Sequence, residues 1–194
     1  MLRHRIAAGS IAAALFAIPL GAHAADHLDC MAQGYDAEQE KVIESFVGSF
    51  DTKSLKSEPS GALMGALSAR AGACADQHGW SPNAILNAVF HQTGAMMEAG
   101  LRRHSPLSDA DMVRLLRAIN RADQQRLWPI LENMMGPFMS GEEAEEPSKD
   151  DNLYLGLVIL SSGIPDNDTS TKFAGALLAA QAIQRLAAKR FASE

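Results

Sequence analysis

Cysteine is scarce in this chain of 194 residues. Cys30 and Cys74 are too few to make a zinc site by themselves or a dense disulfide scaffold. Basic side chains are outnumbered, 17 Lys and Arg against 23 Asp and Glu, for a formal charge of −6. That balance disfavours a general nucleic-acid coat, which needs a basic face. No apolar run reaches the roughly 20 residues that span a bilayer as a helix. Several catalytic signatures are also missing. There is no Gly-x-Ser-x-Gly elbow, phosphate-cradling loop or dinucleotide fingerprint, and no His-Glu-x2-His or close Cys/His cluster. Aromatics make up 6% of the chain, yet 47% hydrophobic and 21% charged content excludes collagen-like, low-complexity and wholly disordered chains.

Residues 1–24 are the most specific segment present. Arg3 and Arg5 form a positive start, Ile11 to Ile18 is apolar, Pro19 breaks the run, and Ala22 and Ala24 give small-x-small spacing. This pattern predicts a signal peptide cleaved after Ala24. No adjacent arginine pair marks the folded-protein export route, and Asp29 stands where a lipidation box needs a small residue before Cys30. The expectation is export as a soluble protein without stable membrane insertion after cleavage, to a periplasm rather than the extracellular medium. Loss of Arg3 and Arg5 leaves a mature domain, residues 25–194, with a charge of −8. In an oxidising compartment Cys30 and Cys74 are then expected to pair.

Beyond the leader the apolar spacing is helical. Asp36 and Gln39 form a capping-box pattern ahead of Val42, Ile43, Phe46, Val47 and Phe50. Leu63, Leu67, Ala71 and Cys74 mark a second helix ending near Gly79, in which Gly61 and Gly65 have the spacing of closely packed helices. Ser81-Pro82 is an N-cap followed by proline at the first helical position. Ser108 and Asp111 repeat that capping logic before Met112, Leu115, Leu116 and Ile119. That fourth helix is expected to weaken before Pro129, with a short apolar segment, Ile130 to Phe138, stopped or kinked by Gly136-Pro137. Residues 140–151 read as an acidic linker, Leu153 to Leu160 as a buried helix, and Thr169 to Phe191 as the last helix, with Asp168 a candidate N-cap. The fold expected is all-α, a single-domain bundle of five or six amphipathic helices closed by one disulfide, Cys30–Cys74.

The residues offer no catalytic constellation. His91 falls beside Asn87, Glu98 and Arg102 on the polar arc of its helix and reads as solvated or locally paired. Met96/Met97 and Met135/Met139 fit irregular core packing better than thioether ligation of Cu(I). Charge is more informative. Arg114, Arg117 and Arg121 share one helical face, and guanidinium groups pair carboxylate and phosphate bidentately. These arginines are candidate contacts for an anionic partner, a protein or an envelope component, with the acidic linker as an internal competitor. Cleavage after Ala24 would also expose Ala25-Asp26-His27. A free amine with histidine in third place offers amine, amide and imidazole nitrogens in the square-planar arrangement that suits Cu(II) or Ni(II). The sequence therefore favours a non-catalytic exported binding module, with metal handling at Ala25, Asp26 and His27 as the alternative.

Overall fold

The computed structural model describes residues 26–52, 59–143 and 146–194; the expected leader, 1–24, and Ala25 lie outside them. Among the described residues there are seven α-helices and no strand, with a short 3-10 turn, Leu28–Ala32, before the first helix.

Local chemistry sets most of the helix starts. α1 (Ala37–Gly48) begins at a complete capping box, the Asp36 carboxylate accepting from the Gln39 amide while the Gln39 side chain accepts from the Asp36 amide. Ser60 caps α2 (Gly61–His78), which ends at Gly79 in the left-handed conformation that glycine adopts without a Cβ clash. Ser81 caps α3 (Pro82–Arg103) with Pro82 at the first position, and Ser108 caps α4 (Asp109–Arg121). The remaining helices are α5 (Gln124–Ser140), α6 (Lys149–Ser161) and α7 (Asp168–Phe191).

Helix α3 is the hub. It packs along α7 on one side and against α1, α2 and the 3-10 turn on others; α5 lies on α7, and α6 on α4. The core joins Phe46, Phe50, Leu63, Leu67, Leu101, Leu115, Leu127, Phe173, Leu177 and Leu178. A smaller cluster of Met139, Ile183, Leu186 and Ala187 lies between α5 and α7. Two glycines let α3 approach its neighbours closely. A Cβ at Gly100 would lie 2.7 Å from Phe50, and one at Gly94 would lie 3.0 Å from the Ala180 carbonyl oxygen of α7. The expected disulfide is present, Cys30 to Cys74 at 2.03 Å, fastening the 3-10 turn to α2. Arg70 reinforces it by donating two hydrogen bonds, of 3.0 and 2.9 Å, to the Cys30 carbonyl oxygen.

The all-α bundle and its disulfide agree with the sequence reading, and the differences have local causes. Seven helices replace five or six because the chain breaks at Ala122-Asp123, where Asp123 caps a new helix through the Gln125 amide. The fourth helix does end before Pro129, at Arg121, but Gly136-Pro137 does not stop the next one: α5 runs through both Pro129 and Pro137. Each proline forfeits one backbone hydrogen bond, and burial of Leu127, Trp128, Leu131 and Met139 outweighs that loss. Gly61 and Gly65 sit exposed with no heavy atom within 4 Å of a notional Cβ, so they mediate no close packing. Asn167, rather than Asp168, caps α7, accepting from the Ser170 amide at 2.9 Å. The methionines behave as packing residues, Met96 and Met139 both buried.

Candidate functional site

Helix α4 is strongly two-sided. Leu115 and Ile119 are buried, while Arg114, Arg117 and Arg121 are exposed on the opposite face. Its Ser108 cap fixes where that face begins, because the hydroxyl accepts from the Asp111 amide at 3.2 Å and donates to the Asp111 carboxylate at 2.7 Å. The three arginines do share one place, as their spacing implies. Together with Tyr154, Leu157, Val158, Ser161 and Ser162 of α6 and its end, they line a groove of about 580 Å³.

The two walls of the groove run antiparallel. Arg114, near the start of α4, donates to the Gly163 carbonyl oxygen just after α6, at 3.1 Å. Beyond the far end of α4, the Tyr154 hydroxyl donates to the Asp123 carbonyl oxygen at 3.1 Å. There Arg126 lies 4.3 Å over the Tyr154 ring and donates to the Asp150 carbonyl oxygen at 3.4 Å. The arginines differ in what they already hold. Arg114 is paired with Asp111, one turn before it. Arg117 and Arg121 have no ion pair among the described residues. The acidic linker forms no ion pair with the stripe among those residues either; Asp150 is met instead by Arg126 of α5, which donates to its carbonyl oxygen. An exposed guanidinium pair four residues apart beside a tyrosine and a leucine can take a carboxylate or phosphate and still offer apolar contact.

Sequence reasoning missed the second wall. The run Leu153 to Leu160 reads as a buried segment, but only Val158 of α6 is buried. Leu153, Leu157 and Leu160 are 64%, 53% and 62% exposed. Their spacing of four and then three residues places all three on one helical face, but Leu155, Val158 and Ile159 make the other faces apolar too, so nothing local marks this face as the uncovered one.

The other candidate residues occupy distinct regions. Asp26 and His27 precede the 3-10 turn, and the His27 ring stacks on His78, centroids 4.4 Å apart. The Trp80 indole donates to the Asp26 carbonyl oxygen at 2.9 Å, holding this segment near the start of α3. Among the described residues no group of three His, Cys, Asp or Glu side chains is arranged to hold a metal ion.

The arc of Asn87, His91, Glu98 and Arg102 is only partly solvated: Arg102 is exposed and pairs with Glu98, as local pairing implies, while the other three side chains are buried or half-buried. α3 is packed on several sides, so Asn87 is buried and the His91 Nδ1 is enclosed without a hydrogen-bond partner among the described residues. Burial accordingly lowers the His91 pKa from its usual value. Burial also raises the Glu98 pKa, but hydrogen bonds from Gln181, Gln184 and Arg102, with the charge of Arg102, outweigh it and hold the carboxyl below its usual range. That carboxylate joins α3 to α7 through contacts of 3.0 Å to Gln181 and 2.7 Å to Gln184. Its role is architectural. Tyr35 is pushed up to about 12 by burial, partly opposed by the nearby charge of Arg70. Tyr35 shares a recess of about 360 Å³ with Glu40 and Glu44. No family model, curated protein or solved structure matches the chain.

Proposed function

We propose that this protein is an exported, non-catalytic binding module that holds an anionic partner in the groove between α4 and α6. One observation carries the reading. Arg117 and Arg121 line a groove of about 580 Å³ and have no ion pair among the described residues, although the chain as a whole is acidic. Guanidinium groups left exposed beside apolar side chains are suited to a partner that brings both charge and apolar contact. The closed Cys30–Cys74 disulfide supports an oxidising compartment, in keeping with a cleaved leader at 1–24 and a periplasmic destination. The test is capture from an envelope extract by the mature protein and by the triple variant Arg114→Gln, Arg117→Gln, Arg121→Gln. Recovery of the captured species is expected to fall at least tenfold in the variant. Equal recovery by a variant with unchanged circular dichroism would reject the groove.

A second reading is metal handling at Ala25-Asp26-His27, supported by the exposed His27 side chain, whose imidazole is accessible beside the amine that cleavage after Ala24 would create. Protein beginning at Ala25 and given equimolar Cu(II) is expected to develop a visible d–d band that His27→Ala abolishes. A band absent from the parent protein, or unchanged in the variant, rejects this reading.

A further inference from the structure

Helix α6 is apolar on nearly every side, with Leu153, Leu155, Leu157, Val158, Ile159 and Leu160 in 13 residues, yet its only buried side chain is Val158. A helix of this composition normally lies inside a core. Here α4 is its principal neighbour, and Leu153, Leu157 and Leu160 project into solvent from one face. Leu157 lies on both flanks of α6. On one it lines the arginine groove, and on the other it joins Leu153, Leu160, Ile164 and Pro165 around a second recess of about 360 Å³. The exposed leucines and the arginines that have no ion pair among the described residues therefore belong to one continuous surface.

We propose that this surface is a monotopic contact with an anionic lipid bilayer. The leucines enter the boundary between headgroups and acyl chains, and Arg117 and Arg121 pair with lipid phosphates. The assignment rests on the groove binding an anionic partner and names that partner. Protruding leucines suit a surface that yields around them, as a bilayer does, whereas a folded partner must present matching pockets. Charge points the same way, since Arg117 and Arg121 border the apolar face and long guanidinium side chains reach headgroups while their stems stay among apolar atoms. Tyr154, stacked under Arg126, has the apolar ring and polar tip that favour the interfacial layer. The three exposed leucines by themselves fall well short of the roughly 800 Å² per partner that a stable dimer buries. Among the described residues no helix is long and apolar enough to cross a membrane, so the contact lies along the surface. Asp150, Asp151 and Asp166 flank the leucines and oppose anionic lipid; Asp151 is held by the Ser148 cap at the start of α6, and Asp166 lines the second recess.

Flotation of the mature protein with vesicles tests the assignment. One set is pure phosphatidylcholine and the other mixes in phosphatidylglycerol. Binding to the mixed vesicles is expected to exceed binding to the neutral set at least tenfold and to weaken with added salt. The variant Leu153→Ser, Leu157→Ser, Leu160→Ser should lose at least tenfold in binding while keeping its helical circular dichroism and monomeric elution, because these side chains make little of the core. Arg117→Gln with Arg121→Gln should match that loss. Absence of flotation, or flotation unaffected by the leucine changes, overturns the assignment. So does a parent protein that runs as a dimer and becomes monomeric in the leucine variant. If flotation fails while arginine-dependent capture from the extract persists, the lipid assignment falls and the anionic-partner reading stands; loss of both rejects both.

Discussion

Replacing Cys30 and Cys74 together with alanine should destabilise the fold by about 4 kcal/mol, the chain-entropy value for a cross-link spanning 44 residues. For a domain of this size that corresponds to a fall of about 10 °C in Tm. Alanine is the better replacement at Cys74, whose side chain is fully buried and would leave a serine hydroxyl without water. The damage falls mainly on the unfolded state, because the front segment keeps other attachments. Arg70 still donates to the Cys30 carbonyl oxygen, the Trp80 indole still donates to the Asp26 carbonyl oxygen, and Met31 is fully buried. The double variant should therefore retain its helical circular dichroism and lose stability in urea denaturation. A loss below about 1 kcal/mol would mean that the reduced chain is already held compact, which would contradict the entropic account.

The second large effect concerns the seam between α3 and α7. Valine at Gly94 would set its Cβ 2.9 Å from Gln184 Cγ, 3.0 Å from the Ala180 carbonyl oxygen and 3.2 Å from the Gln184 amide nitrogen. Two of those three neighbours are backbone, so relief requires the helices to separate. Separation also stretches the Glu98 contacts to Gln181 and Gln184. Overpacking of this kind costs about 1–3 kcal/mol, and the loss of those contacts puts Gly94→Val at the upper end. Gly65→Ala is the matched control. It lies exposed in α2 with open space around it, and removing a helical glycine should raise stability by up to about 1 kcal/mol. Urea denaturation of both variants decides the matter. If Gly94→Val proves as stable as the parent, α3 and α7 are not in close backbone contact.

These two glycines show how much of the fold was legible in the sequence. Gly61 and Gly65 have the spacing of a packing motif and pack against nothing, whereas Gly94 and Gly100 carry the close approaches without that spacing. Which face of a helix meets a neighbour is decided by the whole bundle. Helix starts are a different matter, because a cap involves only residues within one turn. Asp36 with Gln39, and Ser81 with Pro82, are therefore readable from the chain alone. Asp123 escaped notice because the prolines at 129 and 137 promised a break that core burial overrides. The arginine stripe was legible as one face of a helix. The opposing wall was not, because an apolar run such as Leu153 to Leu160 normally signals burial, and only the tertiary arrangement leaves it uncovered.

The pairing of α3 with α7 also bears on when the protein can fold. A chain emerging from the ribosome presents α3 well before its mate, since α4, α5 and α6 all precede α7. Until α7 is made, the central helix has only α1, α2 and the 3-10 turn to rest against. The α3–α7 seam is therefore a non-local contact that closes late, because the entropy of ordering the intervening chain must be overcome before the seam rewards it.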